Sequence, residues 1–401
     1  MNKAARVLSV GGVLAGLAVA QSGPEQLPLQ GGPQINPPAF GISFANNMLT
    51  MGELLDVGAV IFDLQPLDLI YLTQKFPSDG ATIDLAADVE AFSGSVPLGV
   101  DEASGMSKYV LGVGLGVNTL THAHFSEGTS RFGGLVAQPG ELLEFANTDV
   151  TVLPYERVTL QLATPVMNGL LKAGVEASYL FTQTLIHGKF TDDSALTYTP
   201  DGWSGQTGVE YVRAGDFGAI TGDGVQFGLG VATAFPGFGF GMHLRGLGSI
   251  TYDDAIVSRL YAAGDFRTAQ ELVDALEASE TTSIENFTID LPTELDLYGN
   301  FPYYFEGMSE PVNFKASLGG SWGGLLAQGW NVGVGADYRV SPELPLGLDF
   351  NFGGPAGFGV GLSVGIDLPD ADLNLRVSQN GGFLTEAQGL SFAMSSKFQL
   401  P

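Results

Sequence analysis

From Gly357 to Leu368 the chain reads GFGVGLSVGIDL, a strict alternation of bulky apolar residues with small or polar ones. Phe358, Val360, Leu362, Val364, Ile366 and Leu368 share one face; Gly359, Gly361, Ser363, Gly365 and Asp367 share the other. A period of two over this length is a β-strand with a single apolar face. The period recurs at Tyr109–Val117, Ala173–Phe181, Val225–Val231, Phe238–Leu244 and Trp330–Val340, and at Leu390–Leu400 with an interruption at Ser396. Weaker alternations at 157–164, 206–213, 286–298, 312–322, 346–352, 371–378 and 382–388, with a short one at Phe40–Phe44, bring the expectation to roughly 12–16 antiparallel strands, an even number if they close a bacterial membrane barrel.

A soluble jelly roll or sandwich also has period-two strands, with longer polar side chains such as Thr, Lys and Glu on the wet face. Here the second face is dominated by glycine, which weakens a soluble strand without gain. It also carries single charges of both signs: Lys172, Glu176, Arg245, Asp337, Arg339, Asp367 and Lys397, with His243 on the same face as Arg245. A crowded, hydrated lumen needs that mixture, and runs of about ten residues match a tilted membrane crossing. Tyr109, Tyr179, Trp330 and Tyr338 near the ends of apolar runs fit interfacial girdles. These features favour an all-β, transmembrane, antiparallel up-and-down β-barrel. One feature runs the other way: the chain closes on Pro401 rather than on an aromatic residue, although Phe398 and Leu400 keep the alternation.

The connections alternate in length. Phe235-Pro236-Gly237 and Gly353-Gly354-Pro355 read as tight turns, whereas 126–148, 183–204 and 252–284 read as long acidic loops, the last carrying an amphipathic helix at Phe266–Ala278. Residues 51–76, with Pro66 near a helix start and Pro77 as a stop, predict a short helical plug ahead of the main strands. Residues 1–20 have the parts of a signal peptide: Lys3 and Arg6, an apolar stretch Val7–Val19, and the small-x-small site Ala18-Val19-Ala20. The expected organisation is therefore a signal peptide at 1–20, an N-terminal segment with the first strand and the helical plug at 21–105, and the main barrel at 106–401, the last two forming one domain.

Charge and cysteine content narrow the partners. Loss of Lys3 and Arg6 leaves 14 of 16 basic residues against 43 acidic ones, a formal charge of 14 − 43 = −29. Such a surface repels nucleic acid and anionic head groups. The absence of cysteine rules out disulfides and thiolate metal sites. The partner expected from the pattern is the lipid bilayer of the outer membrane; the small-molecule substrate is left open, and acidic loops could hold envelope partners.

The exported chain carries Asn36-Pro37-Pro38-Ala39-Phe40 near its mature start, then a short helical insertion, then many glycine-rich alternating strands. In this it resembles the FadL-like (long-chain fatty acid transporter) superfamily of outer-membrane barrels, and within it the poorly characterised branch that includes TraF-type conjugation proteins. Those families often carry Asn-Pro-Ala, which Pro38 interrupts here. The resemblance implies about 14 strands, a lumen occluded by the N-terminal segment, and, in transporter members, passage of small hydrophobic molecules. A passive transporter or channel is the functional expectation, and a structural envelope protein acting through acidic loops is the alternative.

No motif points to catalysis or a cofactor. Gly361-Leu362-Ser363-Val364-Gly365 and Gly319-Gly320-Ser321-Trp322-Gly323 match G-x-S-x-G, but the nucleophile elbow needs strand, sharp turn and helix, and Ser363 lies inside continuous alternation. Gly112-Val113-Gly114-Leu115-Gly116 has no following helix to hold a phosphate. His122 and His124 share the lumen face or its rim. With Glu127 they form a weak zinc or copper candidate that lacks an assigned third ligand, and with Ser126 they lack the orienting group of a lipase. The signs of the lumen charges are interspersed, which favours pairing that fills the lumen over a single-sign selectivity ring.

Overall fold

The computed structural model describes residues 24–29, 32–47, 80–101, 105–133, 137–215, 220–233, 238–308, 310–323, 329–353, 357–368, 370–381 and 387–399. They form a closed antiparallel transmembrane barrel of 14 staves. Stave β1 is Gln34–Asn36 continued by Ala39–Asn46, and β2 is Ala81–Val100. Next come β3 (Ser107–Phe125), β4 (Asp149–Val166) and β5 (Leu171–Thr182 with Leu185–Phe190). Stave β6 joins Gly202–Ala214 to Gly222–Thr233, β7 runs from Gly239 to Phe266, and β8 joins Thr281–Asp290 to Thr293–Tyr303. The remainder are β9 (Val312–Trp322), β10 (Gly329–Ser341), β11 (Leu344–Gly353), β12 (Gly359–Leu368), β13 (Ala371–Asn380) and β14 (Gly389–Gln399). Closure is made by β1 against β14, with Gln34 opposite Gln399 and Phe40 opposite Met394. Closing the sheet removes every edge, which a membrane requires because lipid offers no hydrogen bonds to a free strand.

Side chains sort as the alternation predicts. In β12, Leu362 is 62% exposed on the outer surface while Gly361 and Gly365 are buried inside. In β3, Tyr109, Leu111, Val113, Leu115 and Val117 face outward. The outer surface of β9 and β10 ends in stacked Trp322 and Trp330 at one rim, and Phe301, Tyr303, Phe305 and Phe314 cluster at the other. Phe314 and Trp322 are eight residues apart, about 26 Å along a strand, which with tilt matches the apolar band of an outer-membrane barrel. No described helix is long and apolar enough to cross a membrane; the strands make the crossing.

The rim carrying both chain ends has short connections, such as 342–343 and 369–370, and the opposite rim has the long ones. Helix α1 (Glu127–Gly133) and the short strands Leu142–Glu144 and Ala195–Thr199 lie at the long-loop rim with helix α2 (Ala269–Ala278). Thr268 caps α2 by accepting from the Glu271 amide, and Leu272 is its buried contact. Three expectations need correcting. The stretch 252–266, read as loop, continues β7 beyond the lipid band, and 183–204, also read as loop, is largely strand at Leu185–Phe190, Ala195–Thr199 and from Gly202 on. Residues 21–105 hold two staves rather than one. The helix expected at 51–76 and the signal peptide at 1–20 lie outside the described residues, as does most of the weak strand expected at 382–388.

Candidate functional site in the barrel lumen

The lumen is plugged at the short-turn rim by the chain's own start. Leu27 and Leu29 are buried against Val110 and Ala163, with Met106 beside them. The Lys172 ammonium donates to the Leu27 carbonyl at 2.6 Å, and the Ser107 amide donates to the Leu29 carbonyl at 2.8 Å. Val110 faces the lumen, which would expose it to water without this cover.

Above the stopper lies a charged layer on β2–β8. Arg157 on β4 pairs with Asp88 on β2 at 3.1 Å and donates to Asn118 Oδ1 at 2.5 Å, and Asn118 in turn donates to the Tyr155 hydroxyl. Arg245 on β7 meets Glu294 on β8 at 2.5 Å. Glu176 on β5 accepts from Gln161 at 3.2 Å and lies 3.5 Å from His243 on β7, a contact without hydrogen-bond geometry.

Several of these pairs leap over a stave. Asp88–Arg157 spans β3 at Gly116, Glu176–His243 spans β6 at Gly228, and Asp349–Arg376, at 3.0 Å, spans β12 at Gly361. The glycine-rich inner face thus has a physical cause. A side chain on the middle stave would occupy the space through which the outer two join; a Cβ at Gly228 would lie 2.5 Å from Glu176 Oε1.

Further towards the long-loop rim the lumen is filled by Leu153, Leu180, Leu185, Val212, Ile250, Tyr252, Val257, Ile289 and Leu291, all essentially inaccessible. Beyond them a second apolar cluster of Leu143, Phe145, Leu196, Trp203, Phe266 and Leu272 packs on the opposite face of the extended β6 and β7 strands. Between the charged layer and this core opens a cavity of about 240 Å³, lined among others by Asp84, Asp88, Arg157, Arg245, Glu294 and Asp296.

The residues singled out from sequence fall as follows. Lys172 holds the stopper, and Glu176, His243 and Arg245 lie in the charged layer. On the other wall Asp337 pairs with Lys315, and Arg339 pairs with Asp367 at 2.5 Å. Lys397 stands near the stopper beside Glu90 and Gln161. The charges join between nearby staves rather than across the barrel's diameter. His122 Nδ1 lies 2.7 Å from Asp84, and His124 Nδ1 lies 3.0 Å from the Thr82 hydroxyl. Asp149 is 3.9 Å from His122 Nε2, and among the described residues no group of three His, Asp or Glu is arranged to hold a metal. Ser321 and Ser363 sit within strands, without the elbow's turn and helix. Sequence reasoning missed Asp84, Asp88, Arg157, Glu294, Lys315, Asp349 and Arg376. The Asp84-x-Ala86-x-Asp88-x-Glu90 alternation was the available signal for β2, but the register shift between Glu90 and Phe92 interrupts its parity.

No protein-family model matches the chain, and no curated protein matches it. Solved structures do. A TodX monoaromatic hydrocarbon channel mutant, deltaS2S3, superposes with a TM-score of 0.54 at 11% identity, covering 98% of each chain. A Pseudomonas aeruginosa FadL homologue superposes at 0.50 and 11% identity, covering 97% of this chain and 96% of that one. The fold is that of the FadL-like outer-membrane barrels.

In this FadL-like barrel, β6–β8 stand well beyond the lipid band. Arg259 on β7 bridges Glu210 on β6 at 3.0 Å and Glu285 on β8 at 2.8 Å. The hydrogen bond from Arg259, helped by the Ser283 hydroxyl, holds the Glu285 carboxyl down at about 2. An unfolded glutamate titrates near 4.3, so the bridge's contribution is complete above that pH and is lost as pH falls through about 2. Hydrogen exchange at Thr281–Glu285, corrected for intrinsic rates, is therefore expected to stay constant from pH 7 to 5. It should rise progressively between about pH 4 and 2, and Glu285→Gln should flatten that rise. A rise already complete at pH 5 would contradict the assignment.

Proposed function

We propose that the chain is an outer-membrane channel that passes small solutes passively, exported by its first twenty residues and closed at the periplasmic rim by residues 24–29. The observation that carries this reading is the stopper: an apolar tip seated in the lumen and tied to the wall by Lys172 and the Ser107 amide, beneath a polar cavity of about 240 Å³. The similar TodX structure is described as a monoaromatic hydrocarbon channel, which supports solutes of small size and raises apolar ones as candidates.

The test is conductance in planar bilayers. Leu27→Asp with Leu29→Asp places two carboxylates against Val110 and Ala163, and Lys172→Met removes one of the two ties. The double aspartate variant is expected to raise mean conductance severalfold, with Lys172→Met intermediate. Deleting 51–76 tests the plug expected there in the same way. Currents unchanged in all three would remove the channel reading. The alternative is a structural envelope protein, favoured by the charge near −29 and the packed layer at the outer rim. It predicts a cross-linked partner recovered from intact envelopes.

A further inference from the structure

The two halves of the lumen are built differently. Inward positions of β4–β7 are mostly covered: Arg157, Thr159, Glu176, Ser178 and His243 are all buried, and the apolar core lies above them. The stopper contacts this same half, against β4, β5 and β6. Across the barrel, the inward faces of β9–β14 present Gly, Ser, Asn and paired charges, and Ser317, Asp372 and Asn374 are exposed within the lumen. The Lys315–Asp337, Arg339–Asp367 and Asp349–Arg376 pairs lie along this wall, adjoining staves or spanning a single intervening one. The cavity extends from the charged layer to Ser321 and Asn331, on β9 and β10, and so reaches this wall.

We propose that the aqueous route through the barrel is eccentric, following the β9–β14 wall, and that it serves small hydrophilic solutes that are neutral or zwitterionic. This rests on the channel reading and narrows it. An apolar solute gains little on a wall of amides, hydroxyls and ion pairs, and its passage leaves those groups desolvated. A dipolar solute replaces its hydration with contacts to both signs. Balanced pairs leave no single-sign ring, so the route discriminates weakly between cations and anions.

The chain has no cysteine, so single cysteines report position without background. Ser317→Cys and Asn374→Cys sample the open wall; Thr159→Cys and Ser178→Cys sample the closed half. Each is reconstituted in vesicles and bilayers, with heat-modifiable migration confirming the folded barrel, and treated with a cationic, membrane-impermeant methanethiosulfonate. Labelling followed by mass should be at least a hundredfold faster at 317 and 374 and should reduce conductance there. With the stopper opened by Leu27→Asp and Leu29→Asp, the barrel should admit glycine in vesicle swelling, with potassium-to-chloride permeability within about threefold of unity. Equal labelling in the two halves, or block from 159 or 178, overturns the route. Exclusion of glycine by a conducting barrel overturns the solute class. Labelling in the expected pattern with no conductance in any variant, even with the stopper mutated, overturns the channel reading itself and the passage proposal with it.

Discussion

Arginine in place of Leu362 is expected to destabilise the barrel by about 2–4 kcal/mol, the cost of a cation on the lipid face near the bilayer midplane. Leu362 lies midway along the apolar run Phe358–Leu368, flanked on neighbouring staves by Leu348 and Val377, and its side chain is among the most exposed of the large apolar groups. In water that exposure would be unfavourable; in lipid it is the required surface. The adjacent residue, Ser363, points the other way, into a lumen where Asp337 already approaches its neighbour Gly347. Arginine there remains hydrated and within reach of carboxylates, so Ser363→Arg should cost roughly 1 kcal/mol or less. Denaturant titration of each variant refolded into vesicles reads the difference. Equal costs would place both residues in the same medium and refute the lipid-facing assignment.

The same contrast explains what could be read from the chain alone. Lipid asks every outward position for an apolar group, whatever its neighbours, so staves such as β3, β10 and β12 are visible one strand at a time. Beyond the lipid the demand inverts. In the upper part of β7 the exposed residues include Asp253 and Asp254, while Tyr252, Ala255 and Val257 point into a dry core. A register shift between Tyr252 and Ala255 breaks the period as well. The segment therefore reads as an acidic loop although it is strand. Inner charges on well-read staves are found by parity alone. Their partners are harder to find because Asp88 meets Arg157, and Asp349 meets Arg376, across an intervening stave, so neither pair has a fixed sequence spacing. The stopper was hidden for another reason. Leu27 and Leu29 are two apolar residues in a stretch of Pro, Gly and Gln, too short to carry any period.

That leap over a stave makes the inner glycines unequal, and Gly228 is expected to be the least replaceable of those bridged by an ion pair. A methyl group at Gly228 would meet Glu176 Oε1 at 2.5 Å, Cγ at 2.8 Å and Cδ at 2.9 Å. Glu176 is nearly fully buried, so its carboxylate has little room to retreat and must leave Gln161 and His243. Stranding a buried charge in this way costs about 3–5 kcal/mol. At Gly361 the same methyl meets Ser378 Cβ at 3.2 Å and the Asp349–Arg376 pair at 3.4–3.5 Å, and that pair borders an open lumen that lets it shift. Gly361→Ala should therefore be nearly neutral, within roughly 0.5 kcal/mol. The double variant Gly228→Ala with Glu176→Ala isolates the cause: without the carboxylate the methyl has space, and the coupling should recover about 1–3 kcal/mol. If Gly228→Ala costs as much with Glu176 removed as with it present, the glycine serves the backbone of β6 and not the ion pair above it.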